Sequence, residues 1–204
     1  CWGGDKMQAA GGELVKHYRE LAFMGFTEVI MNLRTIFRNL AFCKEDILQY
    51  KPDALILIDY PGFNLRIAKW AKEQGLFAGS GSQSPAGGQV IYYISPQVWA
   101  WKEGRVKMMK ECIDKMLVIL PFEKDYYKNK WNWEVEYVGH PLVEVVNGQK
   151  SMVNSEKLSD RPIIALLPGS RKQEILKKLP VMLEVSRSFP DYQFIVAKAP
   201  GVEE

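Results

Sequence analysis

Long apolar runs, paired cysteines, histidine and charge of one sign are all scarce in this sequence. No stretch approaches the ~18 consecutive apolar residues of a bilayer-spanning helix, so no transmembrane segment is expected, and the first residues carry no signal-peptide pattern. The three cysteines, Cys1, Cys43 and Cys112, are odd in number, widely spaced and without CxxC spacing. Neither a disulfide scaffold nor a zinc cluster is expected, and a reducing compartment fits best. The two histidines, His17 and His140, come with no carboxylates at ligand spacing, so no dedicated metal site is expected. Lys and Arg number 27 against 24 Asp and Glu, a balance that gives no electrostatic reason to expect a nucleic-acid partner.

What is present is an ordinary globular composition, 47% hydrophobic and 25% charged, over 204 residues. That length suits one domain plus part of another. Residue 1 is not methionine, residues 2–5 read as a strand end entering a loop, and residues 194–197 read as a strand in a domain only begun. A fragment cut inside structured regions at both ends is expected. Apolar runs at 54–58, 90–94, 116–120, 163–167 and 194–197, with a weaker one at 135–138, alternate with helical patterns at 64–74, 105–111, 122–130 and 175–188. Continuous apolar strands alternating with helices imply a doubly wound α/β fold with parallel sheets. Asn64 reads as an N-cap, Gly75 as the residue past the helix end, and Pro180 as a break between a short helix and a longer one. Periodicity collapses over 148–161, which reads as a linker between a domain at 1–147 and the start of another at 162–204. The Gly/Ser-rich tract 79–89 reads as a flexible surface loop.

Chemistry can sit at the ends of these strands. After strand 163–167 comes Pro168-Gly169-Ser170-Arg171. Gly169 and Ser170 leave the backbone open, a helix N-terminus offers unpaired N–H groups, and Arg171 adds a planar fork of donors, so the loop can seat a phosphate. It also reads as a plain turn with Ser170 as N-cap and a surface Arg171. Asp59 follows run 54–58, read as a central parallel strand, and precedes Pro61-Gly62. It is a candidate general base at the edge where open α/β sheets bind ligands, and equally a candidate cap of the Pro-Gly turn. In Ser95-Pro96-Gln97-Val98-Trp99-Ala100-Trp101, the tryptophans can wall a sugar site, with Ser95 and Gln97 bonding hydroxyls, or can pack under the loop. His140 reads as a ligand contact or a hinge residue, and His17 as exposed. Over residues 23–42, Val29, Ile30, Leu33, Ile36, Phe37 and Leu40 recur at helical spacing beside Arg34 and Arg38. A core helix explains the spacing, whereas the surplus of apolar residues and the nearby cations suit an anionic membrane surface.

Seven strings occur in one order: GGDKMQAAG (3–11), MGFTEV (24–29), KPDALILIDYPGFN (51–64), YYISPQVWAWKEGRV (92–106), LPFEKDYY (120–127), VGHPLVE (138–144) and LLPGSRKQEI (166–175). Together they resemble the lipid-A-disaccharide synthase family over nearly the whole chain apart from residues 79–89. The resemblance implies a GT-B type α/β glycosyltransferase with two Rossmann-like doubly wound parallel-sheet domains, the first incomplete at its N-terminus and the second only begun. It implies an inverting reaction without metal or cofactor, joining UDP-2,3-diacylglucosamine to 2,3-diacylglucosamine 1-phosphate with release of UDP.

The resemblance assigns Asp59 as catalytic acid-base and Arg171, with Gly169 and Ser170, as the seat of the UDP diphosphate. It turns Val29, Ile30, Leu33, Ile36 and Phe37 into a surface for the membrane and acyl chains. A peripheral cytoplasmic protein on the inner membrane of a Gram-negative bacterium follows, and a homodimer is among the assemblies allowed. Many members carry a second Asp where this chain has Gly62, and the family's GExSGD-like loop is expected ahead of Cys1. Other GT-B enzymes using UDP-N-acetylglucosamine, and an inactive membrane-binding module, are the rival readings.

Overall fold

The computed structural model describes residues 1–20, 33–77, 88–150, 160–170 and 172–198. The chain divides into two compact units, Cys1–Val146 and Asn147–Glu204. The first holds β1 (Trp2–Gly3), α1 (Asp5–Ala9), β2 (Lys16–His17), α2 (Leu33–Tyr50), β3 (Ala54–Ile58), α3 (Pro61–Glu73), β4 (Gln89–Tyr93), α4 (Arg105–Cys112), β5 (Lys115–Val118), α5 (Pro121–Trp131) and β6 (Glu136–Tyr137). Helix α6 (Leu142–Lys150) crosses from the first unit into the second, which continues with β7 (Ile163–Leu166), α7 (Lys172–Ser186) and β8 (Gln193–Val196).

Every strand pairing among the described residues is parallel: β1 with β2, the four-stranded order β3-β4-β5-β6, and β7 with β8. Consecutive parallel strands need a crossover, and α3, α4 and α5 supply one each. The register places Leu57, Tyr92 and Met116 in one row, because successive side chains alternate across a strand. All three are buried, as are Val90 and Val118 two positions along. Against them pack Ile67, Ala68 and Ala71 of α3 and Val106 and Met109 of α4, with Tyr127 of α5 at the side. Ala68 and Ala71 have no exposed surface; small residues there let α3 approach the sheet closely. At the amino edge, Asp114 links three elements: one carboxylate oxygen accepts from Lys72 at 2.6 Å and the other from the Val90 N–H at 2.8 Å.

The end of α3 follows from its sequence. Gly75 has φ +68°, its N–H bonds Lys72 O, and the Leu76 N–H reaches back to Ala71 O. This is a Schellman closure, with Gly75 at the left-handed position expected of it. The other end departs from expectation. The helix starts at Pro61 behind a left-handed Tyr60, so Asn64 lies inside the first turn and is not the N-cap. Proline at the first helical position needs no N–H partner, which is why the helix begins three residues early.

Three further expectations change. Among the described residues β3 is an edge strand of its sheet, with Ile56 and Ile58 exposed by 61% and 43%, not the central strand its apolar run suggests. Helix α7 runs through Pro180 without a break; Pro180 is exposed, so the carbonyl that loses its bond can turn to water. His17 is half-buried, with Nε2 3.3 Å from Asp5 and Nδ1 accepting from the Arg19 N–H. Residues 78–87, most of the Gly/Ser tract, and 151–159, most of the linker reading, lie outside the described residues.

Candidate functional site

The carboxyl edge of the four-stranded sheet is where the backbone departs most from ordinary geometry. Asp59 and Tyr60 both have φ 45°, and Ile94, just past β4, has φ 66°. Left-handed backbone disfavours non-glycine residues and collects at functional sites. The strand ladder nevertheless continues through this edge. The Asp59 N–H bonds Tyr93 O at 2.9 Å, and the Ile94 N–H bonds Leu117 O at 3.1 Å. Three more bonds lock the Asp59 corner: Tyr92 Oη gives a 2.6 Å bond to Asp59 O, and Asn64 Nδ2 bonds both Asp59 O at 2.8 Å and Ile58 O at 3.0 Å. Asp59 is itself exposed, so its carboxylate lies on the solvent side of a backbone fixed from within.

The segment after β4 forms the neighbouring wall. Ser95 is 5% exposed, and its Oγ lies 2.6 Å from Tyr127 Oη. The expectation that Ser95 bonds a ligand hydroxyl is therefore corrected: a buried hydroxyl must find a partner, and it finds one in α5. Gln97, Trp99 and Trp101 are exposed. Trp99 stands edge-on to Phe122, ring centroids 5.1 Å apart, and Trp101 gathers Lys102 at 4.4 Å and Arg105 at 5.8 Å from its centroid. Arg105 is the first residue of α4, which packs beside α3. The guanidinium thus sits at the N-terminus of the helix adjoining the one that follows Asp59.

Helix α5 braces this wall. Glu103 accepts from Tyr126 Oη at 2.6 Å and pairs with Lys130 at 2.6 Å; those two partners, Lys130 foremost, lower its pKa. Glu123, third in α5, is 1% exposed and accepts the Leu120 N–H at 3.0 Å. Burial pushes its carboxyl above the usual range, against the opposing pull of donors from Leu120 and Trp99. The strings SPQVWAWKEG and PFEKDYY therefore interlock through Ser95–Tyr127, Trp99–Phe122 and Glu103–Tyr126.

His140 is half-buried past β6, and its Nδ1 accepts the Leu142 N–H at 3.2 Å at the start of α6. With Nδ1 accepting, the neutral ring carries its proton on Nε2. In the second unit, Gly169 has φ +119°, and a Cβ there would come within 2.5 Å of Glu174 Oε2. Only glycine fits this turn ahead of α7, and Ser170 beside it is exposed. Arg171, Val29, Ile30 and the side chain of Leu33 lie outside the described residues. Helix α2 extends eight residues past Phe42, the end the periodicity gives. Leu40, Cys43 and Ile47 are buried, Ile36 packs against the core, and Phe37 is 63% exposed. No group of three or more His, Cys, Asp or Glu among the described residues is placed to hold a metal ion.

Sequence reasoning passes over Tyr92, Tyr127 and Glu123, and gives Asn64 only a capping role. The one visible signal is a polar-tipped aromatic inside an otherwise apolar strand, since a buried tyrosine hydroxyl requires a partner.

A family profile described as Lipid-A-disaccharide synthetase matches residues 2–202. The chain is 41% identical over 202 residues to "Lipid-A-disaccharide synthase 1" of Legionella pneumophila (strain Lens), covering 95% of this chain and 50% of that protein. It is 41% identical over 212 residues to "Lipid-A-disaccharide synthase" of Geobacter metallireducens, covering 99% and 51%. A Myxococcus xanthus protein of the same name is 39% identical over 209 residues, covering 98% and 51%. The chain thus spans about half the length of the relatives it matches.

Proposed function

The chain belongs to the lipid-A-disaccharide synthetase family, and from that premise we propose that the whole protein is an inverting glycosyltransferase joining UDP-2,3-diacylglucosamine to 2,3-diacylglucosamine 1-phosphate. The products are the β(1→6) disaccharide 1-phosphate and UDP. The observation that carries the reading is Asp59, an exposed carboxylate on a left-handed strand tip whose carbonyl two side chains hold.

In one displacement, the Asp59 carboxylate takes the proton of the acceptor 6-hydroxyl as that oxygen bonds the anomeric carbon. The anomeric carbon–oxygen bond to UDP breaks, and its electron pair leaves with the diphosphate. Arg171 and the N–H groups of residues 169–171 neutralise that growing charge. Gln97 and Trp99 face the acceptor sugar, and Lys102 and Arg105 suit its 1-phosphate, because guanidinium and ammonium groups bond phosphate oxygens strongly. Residues 1–147 form the acceptor and membrane-facing domain, and 162–204 begin the nucleotide-sugar domain.

Both substrates carry acyl chains, so the protein works as a peripheral one on the cytoplasmic face of the inner membrane. Phe37, exposed beside Arg34 and Arg38, supports this. So does a groove of about 460 Å³ between α2 and α3, where Phe37 and Trp70 lie among Lys44, Arg66, Lys69 and one anion, Glu73, which pairs with Lys69. Apolar and cationic side chains together favour anionic lipid surfaces.

The test is mass spectrometry of products after incubating the full-length protein with both acylated glucosamines, alongside UDP release. The expected result is the disaccharide 1-phosphate, with Asp59→Asn slowing its formation on the order of 10²-fold or more. A product formed only from UDP-N-acetylglucosamine, or no UDP binding at all, would overturn the reading.

A further inference from the structure

The carbonyl oxygen of Asp59 receives two side-chain hydrogen bonds, from Tyr92 at 2.6 Å and Asn64 at 2.8 Å. Both donors come from outside the turn: Tyr92 from the neighbouring strand β4, Asn64 from the first turn of α3. The peptide on the other side of Asp59 is fixed as well, by its N–H on Tyr93 O and by Asn64 on Ile58 O. The Ile58 carbonyl and the N–H and carbonyl of Asp59 are therefore all held. Tyr92 has no exposed surface, so its ring is locked by the core and its hydroxyl has a fixed origin. Burial foremost, and the charge of Asp59 after it, push the phenol well above its usual range; it remains a donor wherever the protein is folded.

Two left-handed non-glycine residues in succession are not a resting geometry for a chain. Without the two bonds to its carbonyl, the Asp59–Tyr60 corner has reason to relax toward the extended or right-handed regions. A relaxation of that kind swings the carboxylate away from whatever hydroxyl it faces. We propose that Tyr92 and Asn64 are positioning residues for Asp59, holding its peptide in the left-handed conformation that aims the carboxylate out of the strand tip. The inference rests on the role of Asp59 as general base given above. The alternative is that Tyr92 only fills the core and satisfies its own hydroxyl.

A double-substitution cycle in the full-length protein separates the two. Initial rates are measured with the two acylated glucosamines for wild type, Tyr92→Phe, Asp59→Asn and the pair, with melting temperatures in parallel. Tyr92→Phe is expected to lower kcat on the order of 10-fold to 100-fold, since misplacement by about 1 Å costs that much, with both KM values within about twofold of wild type. In the Asp59→Asn background, the same change should leave the residual rate unaltered, because the group being aimed is gone. An equal fall in both backgrounds, or no fall in either, overturns the inference and returns Tyr92 to the core. An Asp59→Asn protein as fast as wild type overturns the base assignment itself, a distinct result that removes this inference with it. Should Tyr92→Phe not fold, Asn64→Ala tests the same carbonyl from the surface of α3, with the same expectation in the two backgrounds.

Discussion

Replacing Gly62 and Gly75 by alanine adds the same methyl group at opposite ends of α3, and the two changes should move stability in opposite directions. A Cβ at either position meets no atom within 4 Å, so packing is common to both and backbone conformation decides the sign. Gly62 is the second residue of the helix and is not left-handed, so alanine there gains about 0.4–1 kcal/mol from the stiffer unfolded chain. Gly62→Ala is therefore expected to stabilise by roughly that amount. Gly75 has φ +68°, a region that costs an L residue about 1–2 kcal/mol. Part of that is offset by the stiffer unfolded chain, about 0.4–1 kcal/mol, which leaves a net loss of roughly 0.5–1 kcal/mol. Two proteins of identical composition should thus differ by about 1–2 kcal/mol, or roughly 2–8 °C in Tm at about 2–4 °C per kcal/mol for a chain of this size. Thermal and urea unfolding followed by circular dichroism measure the gap. Gly75→Ala melting at or above wild type would refute the Schellman geometry and the reasoning built on it.

Alkylation should distinguish the cysteines. Burial pushes the thiols of Cys43 and Cys112 to about 12 and about 11, while Cys1 is exposed; within residues 1–204, peptide mass spectrometry should find iodoacetamide on Cys1 alone in native protein and on all three cysteines after urea unfolding. Glu123→Gln should flatten part of the pH dependence of stability. Because the folded carboxyl is raised above its unfolded value, its contribution is present below that unfolded value and lost as pH rises through the folded one. The wild type should therefore compare best with the variant below the ordinary carboxylate value of 4.5 and progressively worse as pH rises above it in urea titrations. Arg105→Ala should raise KM for the phosphorylated acceptor by about 10-fold or more, the worth of a charged hydrogen bond, and leave KM for the UDP-sugar unchanged.

The parallel α/β organisation was legible because it rests on short-range chemistry. Apolar runs such as 54–58 and 163–167 have no polar alternation to offer a solvated face, and both became parallel strands. Gly75 was legible for the same reason, since few residues but glycine follow a helix in the left-handed region. Helix starts were harder. Pro61-Gly62 read as a turn ahead of a helix capped by Asn64, and the helix starts at Pro61 because Tyr60 adopts φ 45°, which a tyrosine does not advertise. The edge position of β3 was hidden because strand order is a tertiary property; five apolar residues in a row look alike at a centre or at an edge with Ile56 and Ile58 exposed. Pro180 shows the converse, a strong local rule overridden by a helix of fifteen residues.

At the site, sequence pointed to the exposed chemistry and missed its supports, and the reason lies in how polar groups are divided along the carboxyl edge. Tyr92, Asn64, Ser95, Tyr127 and Glu123 have each found a partner within the protein, and among the described residues no buried side-chain nitrogen or oxygen lacks one. Those groups cannot greet a ligand without breaking a bond inside the protein. What faces outward is Asp59, Gln97, the indoles of Trp99 and Trp101, and Lys102, with the half-buried Arg105 beside the Trp101 ring. A motif such as SPQVWAWKEG therefore mixes two kinds of residue at adjacent positions, because one turn of backbone sends Ser95 inward to Tyr127 and Gln97 outward to solvent. Reading the string as a single binding loop assigned Ser95 to the ligand. Substitution of the inward set should change how firmly the edge is held, whereas substitution of the outward set should change what it holds. For that reason the Tyr92 cycle and the Arg105 measurement probe different properties of one surface: the first acts through kcat, the second through KM.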